Sequence, residues 1–199
     1  GPRRWVAPPL AIEHLPRVDI VLQSHNHYDH FDHAATRALA RRFPHAVWCL
    51  PLGLADAARR LGVRQVREMD WEQRVDLALP TGPVGVTAVP AQHFSARGLH
   101  DRDRTLWTGF VVGTPAGRIY YAGDTGLHPE FGRIAAEHGP FALTLLPIGA
   151  YEPRWFMRPV HLNPEDALEA WQALTEAQAA AHDAPPPPLL GVHWGTYQL

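Results

Sequence analysis

The sequence feature that most constrains this chain is a polar run that begins where a short apolar segment ends. The apolar segment covers residues 18–22, and the run that follows reads SHNHYDH at residues 24–30. A short apolar segment rich in β-branched residues predicts a buried strand, which delivers the next loop to the edge of a sheet. Histidines at alternate positions can converge on one cation, and the adjacent Asp29 and His30 can serve a second cation nearby. We therefore expect a metal-binding loop at the end of this strand.

The rest of the chain alternates between segments typical of strands and segments typical of helices. Asp32 can cap a helix that Pro44 closes off, and Asn163, followed by Pro164 and two acidic residues, is a strong helix start. We expect further strands at residues 46–50, 63–66, 84–89, 107–112, 118–121, 141–146 and 189–192, and further helices at residues 54–61 and 130–137. This order predicts an α/β fold with helices outside sheet layers and a site at the loop edge.

Composition narrows the classes of function. The chain has 199 residues, a formal net charge of -2 and only scattered arginines, so we expect no nucleic-acid partner. No apolar stretch approaches the ~20 residues of a membrane-spanning helix. No charged-then-apolar leader is visible either, which favours a cytoplasmic protein. The single cysteine, Cys49, lies in an apolar run and is expected to be a buried thiol.

Three more polar residues follow predicted strands: His93 in PAQHFSARG, Asp124 in YYAGDTG and His193 in GVHWGTY. Together with the HxHxDH loop, these motifs resemble the metallo-β-lactamase superfamily over nearly the whole chain. Longer phrases, such as PIGAYEPRWFMRPVHLNPEDA at residues 147–167, resemble the branch containing N-acyl-phosphatidylethanolamine-hydrolysing phospholipase D and its bacterial relatives. The resemblance implies an α/β fold of the metallo-β-lactamase-like αββα sandwich type. It also implies one hydrolase domain over residues 1–199, with terminal elements of the family missing at both ends.

The same resemblance implies a dinuclear metal centre. It places His25, His27 and His93 on one ion, Asp29, His30 and His193 on the other, and Asp124 between them as a bridge. The expected cofactors are two Zn²⁺ ions, with other divalent ions as the alternative. Two ions ~3.5–4 Å apart can share a hydroxide and polarise a phosphate ester. Asp29 would orient that hydroxide or pass its proton on, and His161, which matches a family histidine near the substrate, would bind a phosphate oxygen or protonate a leaving group.

The function implied by the resemblance is a phosphodiesterase of the N-acyl-phosphatidylethanolamine phospholipase D type that acts by metal-hydroxide attack on a small-molecule or phospholipid substrate. A lactonase or other carbonyl hydrolase is the alternative, because the same ions would polarise a carbonyl. A non-catalytic metal-binding remnant is a third hypothesis, since a fold alone does not establish activity. The phrase at residues 151–158, which combines arginines and aromatic residues, favours the phospholipid substrate. Peripheral membrane contact and homodimer formation remain open options.

Several residues beside the expected ligands have two interpretations. Gln92, Ser95 and Thr125 either fix the orientation of a ligand or simply form turns. Tyr28 lies between two expected ligands, and it either points into the cleft or packs beneath the loop. The sequence does not decide between these interpretations.

The aromatic residues and arginines at positions 151–158 also have two interpretations each. Tyr151, Trp155 and Phe156 either belong to the core or form an apolar wall for an acyl chain. The neighbouring Arg154 and Arg158 either attract a phosphate or are solvated surface residues.

Overall fold

The computed structural model describes residues 4–196, in which the first sheet is small and entirely parallel. Its strands are β1 (Ile20–Leu22), β2 (Val47–Pro51) and β3 (Gln65–Met69), in that spatial order. Parallel neighbours need crossover connections. Helices α1 (His33–Arg42) and α2 (Ala55–Arg60) supply them. As expected, the Asp32 carboxylate caps α1 by accepting a hydrogen bond from the Ala35 amide at 2.7 Å.

The second sheet has six strands in sequence order. They are β4 (Arg74–Leu79), β5 (Gly82–Val89), β6 (Gly109–Thr114), β7 (Gly117–Tyr121), β8 (Phe141–Pro147) and β9 (Leu189–Val192). The pairs from β4 to β7 are antiparallel, while β7, β8 and β9 are parallel. Helix α3 (Glu130–His138) connects β7 to β8, and α4 (Arg154–Met157) and α5 (Pro164–His182) lie between β8 and β9.

The two sheets pack face to face, and each carries helices on its outer side. On β2, Trp48 and Leu50 pack with α1 and α2, while Cys49 between them packs with Val86 and Phe110 of the other sheet. This alternation follows from the two-residue period of a strand. The Cys49 side chain is fully buried as expected, and burial raises the pKa of its thiol to about 12.

The outer face of the larger sheet is covered in the same way. Tyr120 of β7 packs against Phe131 and Ile134 of α3 and against Leu174 of α5. The layers therefore run helix, sheet, sheet, helix, which confirms the αββα sandwich expected from the sequence. Within residues 4–196, no helix combines the length and the apolar character needed to cross a bilayer.

The topology places several strand ends at one edge. Strands β5 and β7 run in the same direction because each is antiparallel to β6, and β8 and β9 are parallel to β7. The loops that carry His93, Asp124 and His193 leave the carboxyl ends of β5, β7 and β9, so the fold delivers them to the same edge.

Three of the differences from the sequence-based expectations have a clear local cause. The strand expected at residues 63–66 begins at Gln65 instead, because the Val63 amide still bonds to the Ala58 carbonyl at the end of α2. Strand β4 was not predicted; most of its side chains are exposed or only partly buried. Helix α4 was not predicted either, since its four residues are too short to show a helical period.

Candidate metal centre and active site

The loop after β1 turns tightly and brings its histidines to one side. The His27 carbonyl accepts hydrogen bonds from the His30 and Phe31 amides at 3.2 and 2.8 Å. His25 is almost completely buried, and its Nε2 lies 2.8 Å from His27 Nδ1. On the other side of the His25 ring, Nδ1 lies 3.0 Å from the Ser24 hydroxyl. The turn therefore aims ring nitrogens of alternate histidines at a common point.

His93 reaches this point from the end of β5. Its Nδ1 lies 2.9 Å from the Val160 carbonyl, and its Nε2 lies 3.2 Å from His27 Nδ1. A carbonyl only accepts, so this contact makes Nδ1 the protonated nitrogen and leaves the Nε2 lone pair directed at the cluster. A backbone contact of this kind fixes the ring of a metal-ligating histidine.

Asp124 lies at the centre of the cluster. Its Oδ2 is 3.0 Å from His30 Nε2, 3.5 Å from His193 Nε2 and 3.9 Å from Nε2 of both His25 and His93. The preceding Gly123 has a φ of 67°, and a Cβ there would lie 2.8 Å from the Thr108 carbonyl oxygen. Glycine therefore allows the loop to present Asp124 at this depth.

A second carboxylate closes the outer side of the cluster. Asp29 Oδ2 lies 3.3 Å from His193 Nε2 and 3.5 Å from His30 Nε2. His193 itself has a φ of 57°, a left-handed conformation that non-glycine residues seldom adopt. The turn after β9 thus holds this imidazole against Asp29 at some conformational cost.

The structure brings all seven expected ligands together in overlapping groups. Their ligand atoms lie within 4.8 Å of one another in three sets: a three-histidine group of His25, His27 and His93, a mixed group of Asp29, His30 and His193, and a set of His25, His30 and Asp124. The first two sets have the same members as the two ion sites expected from the sequence. The third contains Asp124 together with one histidine from each of the first two sets.

The electrostatics of the three-histidine group suit a cation. Burial lowers the pKa values of His25, His27 and His93, that of His93 to about 3. These imidazoles are therefore neutral at pH 7, and a neutral imidazole is the form that binds a metal ion.

The carboxylates of the cluster are ionised. Burial favours a protonated Asp124, but the surrounding histidines, His30 foremost, hold its pKa well below the ordinary value. Burial is also the largest single influence on Asp29 and acts against its ionisation, but the hydrogen bond with His193 and the charges of His30 and His193 together lower the pKa of Asp29. His193 shows the converse: burial disfavours its charge, yet the contacts with Asp29 and Asp124 raise its pKa.

His161 lies beside the cluster. It is buried, its ligand nitrogen falls within 4.8 Å of those of His93 and Asp124, and its ring stacks 6.0 Å from that of His193. Burial lowers the pKa of His161, so the ring is neutral at pH 7. Its Nδ1 is buried with no hydrogen-bond partner, which is unusual for a buried polar atom.

A cavity of about 410 Å³ opens onto the cluster. Phe94, Phe156 and Met157 form much of its apolar lining, and Arg102 adds a guanidinium that lies 4.4 Å from the Phe94 ring centre. The wall shared with the cluster consists of His27, Asp29, Asp124, His161 and His193. An apolar cavity with a few convergent polar groups is the usual form of a small-molecule site.

The structure shows the hydrogen bonds of Gln92, Thr125 and Ser95, for which the sequence left two roles open. The Gln92 amide donates to the Thr125 hydroxyl at 2.9 Å, and the Gln92 side chain donates to the Pro159 carbonyl at 2.7 Å. These contacts join the loops that carry His93, Asp124 and His161. Ser95, by contrast, donates its hydroxyl to the Thr105 carbonyl at 2.6 Å and belongs to a turn.

The arginines and aromatic residues at positions 154–158 lie in different surroundings. Arg154 donates to the His161 carbonyl at 3.0 Å and forms a tight ion pair with Asp166, so it is not directed at the cavity beside the cluster. Arg158 and Trp155 line a neighbouring cavity. Trp155 and Phe156 are 83% and 62% exposed, so neither is a core residue.

Two arginines near the centre were not singled out from the sequence. Arg102 lines the cavity, and no sequence signal distinguishes it from its neighbours Arg104 and Arg97. Arg97 belongs to the PAQHFSARG phrase, and its side chain contacts the loop at residues 26–31. The position of Arg97 in the motif that carries His93 was the sequence signal that could have identified it.

The fold and the cluster together define a metallo-β-lactamase-like domain with a candidate metal centre, and comparison with known proteins agrees on the family. The β-lactamase superfamily domain family matches residues 1–194. The chain is 36% identical over 205 residues to the N-acyl-phosphatidylethanolamine-hydrolyzing phospholipase D 1 of Caenorhabditis elegans, covering 100% of this chain and 55% of that protein. It is 42% identical over 201 residues to an uncharacterised protein of Mycobacterium tuberculosis, covering 100% and 50% respectively.

A solved structure of a metallo hydrolase from the archaeon Ignicoccus hospitalis superimposes with a TM-score of 0.63 at 22% identity, over 91% of this chain and 80% of that one. At this identity the likeness concerns the fold. The chain spans about half the length of the two curated relatives. It belongs to the β-lactamase superfamily domain family.

Proposed function

We propose that this chain is the core of a dinuclear zinc hydrolase that cleaves phosphodiesters, of the type represented by its phospholipase D relative. The observation that carries the proposal is the arrangement around Asp124 Oδ2, which has four imidazole nitrogens between 3.0 and 3.9 Å away. A buried carboxylate surrounded in this way can serve two cations at once.

The donor set fits zinc. Imidazole nitrogens and carboxylate oxygens without thiolates are typical ligands of catalytic zinc, although iron and manganese accept similar sets. In this proposal the three-histidine group would hold one ion and the mixed group the other, with Asp124 available to both. When bound, the two ions supply Lewis-acid stabilisation of the charge that develops on the ester oxygens.

Two residues of the chain are proposed to act on the substrate. Asp29, which is ionised and at the cavity wall, accepts the proton of the attacking water. His161 donates a hydrogen bond to a phosphoryl or leaving-group oxygen. The contacts of Gln92 and Arg154 with the backbone at residues 159–161 fix where that imidazole lies.

The cavity supports a lipid-like phosphodiester as the substrate. A phosphate next to the cluster would lie within the same cavity as the Arg102 guanidinium, while Phe94, Phe156 and Met157 offer apolar contact to an acyl chain. A lactonase would use the same ligands, but this pairing of one guanidinium with an apolar wall favours the phosphodiester.

We further propose peripheral contact with a membrane through α4. Trp155 and Phe156 are adjacent, mostly exposed, and next to the cavity that contains the cluster. Large aromatic side chains are favoured at the membrane–water interface. Sedimentation with phospholipid vesicles tests this: the double change Trp155→Ala, Phe156→Ala should abolish binding, and the matched change of exposed Leu168 to alanine on α5 should leave binding unchanged.

The test of the main proposal combines metal analysis with a substrate panel. The zinc-loaded chain should hydrolyse bis(4-nitrophenyl) phosphate and an N-acylated phosphatidylethanolamine in mixed micelles. Turnover of a lactone with none of either phosphodiester would replace the proposal by the lactonase. Two bound ions with no turnover of any substrate would support the non-catalytic alternative for this chain.

A further inference from the structure

Arg97 lies outside the cavity and contacts the ligand loop from its other side. Its guanidinium Nη1 donates to the Asn26 carbonyl at 2.6 Å and to the Phe31 carbonyl at 2.9 Å. These two carbonyls are the ends of the loop segment at residues 26–31. One side chain thus joins both ends of a segment that is 66 to 71 residues away in the sequence.

The loop also donates a hydrogen bond back to Arg97, through Tyr28. The Tyr28 ring lies under the guanidinium, with the Arg97 Cζ atom 4.0 Å from the ring centre, and the Tyr28 hydroxyl donates to the Arg97 carbonyl at 2.7 Å. Tyr28 therefore neither lines the cavity nor packs beneath the loop, the two interpretations that the sequence left open. It is 62% exposed and covers the guanidinium from the solvent side.

The backbone that carries Arg97 forms a turn closed by Asp101. The Asp101 carboxylate accepts hydrogen bonds from the Arg97 amide at 3.1 Å and from the Gly98 amide at 2.7 Å, which closes the turn that carries the arginine. Hydrogen bonds from a charged donor are among the stronger ones in proteins. The arrangement is a clamp made of Arg97, Tyr28 and Asp101.

We propose that Arg97 is a positioning residue for the metal centre: it fixes the loop segment at residues 26–31 so that His27, Asp29 and His30 meet the strand-end ligands. The segment supplies one of the three members of the three-histidine group and two of the three members of the mixed group. The clamp therefore matters more for the ion of the mixed group. The inference rests on the proposed metal assignment and is independent of the proposed substrate.

The variants are Arg97→Gln, Arg97→Lys and Tyr28→Phe, with Arg104→Gln as the matched control. Arg104 is an exposed arginine of the same loop. Loss of a residue that orients ligands typically weakens metal affinity by about 10–100-fold. We expect R97Q to lower the affinity for the ion of the three-histidine group about tenfold and for the ion of the mixed group about a hundredfold. R97K should not restore the affinity, because an ammonium lacks the planar fork of a guanidinium.

Two measurements test the clamp. Stepwise zinc affinities come from competition with a chromogenic chelator, at a temperature where circular dichroism shows every variant folded. Hydrogen exchange of the His30 and Phe31 amides in metal-free protein reports the loop without any ion, and R97Q should accelerate it about tenfold or more, as expected for the loss of hydrogen bonds from a charged donor. Tyr28→Phe, which removes one hydroxyl, should show a smaller change in the same direction.

The outcomes separate this inference from the proposed function. If the unchanged chain bound no zinc, the proposed function would be wrong, and the exchange of the two amides would still decide whether the clamp exists. If the unchanged chain bound two ions and R97Q bound both with the same affinities, the positioning role would be refuted. Equal losses in R97Q and R104Q would refute it as well, because they would show a general effect of surface charge.

Discussion

Replacement of His161 separates chemistry from metal binding. His161 lies within reach of His93 and Asp124 but belongs to neither proposed ion site, and its Nδ1 is buried without a partner. His161→Ala removes the imidazole while leaving the seven proposed ligands in place. We expect the zinc content to remain two ions per chain and the turnover of a phosphodiester to fall sharply.

The size of each effect follows from the position of the ring. A positioned acid–base or hydrogen-bonding group contributes about 10²–10⁴ in rate, which corresponds to about 2.7–5.4 kcal/mol of transition-state stabilisation. The free energy of unfolding should change little. The variant loses packing, but it also removes a buried polar atom whose missing hydrogen bond costs about 1–3 kcal/mol.

The assay measures kcat and KM on bis(4-nitrophenyl) phosphate alongside zinc content by elemental analysis. His128→Ala is the matched control, because His128 is a histidine with a buried, unpartnered Nε2, and burial lowers its pKa to about 4. It packs on Phe131, outside the proposed centre, so its loss should leave turnover unchanged. A fall to one zinc ion in His161→Ala would make His161 a ligand, and unaltered turnover would remove it from the mechanism.

Three further predictions concern the centre and its support. Asp124→Asn should reduce the zinc content below one ion per chain by elemental analysis, because both ions lose the charged bridge; retention of two ions would contradict the bridging role. As the pH falls, protons should displace the ion of the mixed group first, because the pKa of His193 is raised whereas burial lowers the pKa values of the three-histidine group. Zinc content after dialysis at a series of pH values measures the order of loss, and loss in the reverse order would contradict the prediction. Arg154→Ala should lower the free energy of unfolding by about 2 kcal/mol in urea titrations, because it breaks the ion pair with Asp166. The loss is smaller than for a fully buried pair because the Arg154 side chain is 26% exposed. An unchanged urea midpoint would refute a structural role for this ion pair.

The sequence was sufficient to predict the layers of the fold and the strand ends from which the ligand loops leave. The apolar run before His25 and the caps at Asp32 and Asn163 are local signals, and they fix strands and helices that the structure contains. Strand β4 escaped prediction because most of its side chains face solvent or are only partly covered, so no buried apolar run marks it.

The support of the site could not be predicted in the same way. Arg97 and Arg154 act by donating to backbone carbonyls, and any residue type supplies a carbonyl, so the sequence carries no trace of the partner. The same limit explains why Arg154 could be taken for a phosphate-attracting residue and why Arg102 was not singled out. Which guanidinium faces the cavity depends on how the loop at residues 94–105 folds against the loop at residues 26–31.

The most direct measurement of the central claim is anomalous scattering from a crystal of the zinc-loaded chain. The account predicts two peaks ~3.5–4 Å apart, as in other two-metal sites. One peak should lie at a ligand distance of ~2.0–2.2 Å from the three-histidine group, the other at that distance from the mixed group, and Asp124 should contact both. A single peak, or two peaks of which Asp124 contacts only one, would contradict the account.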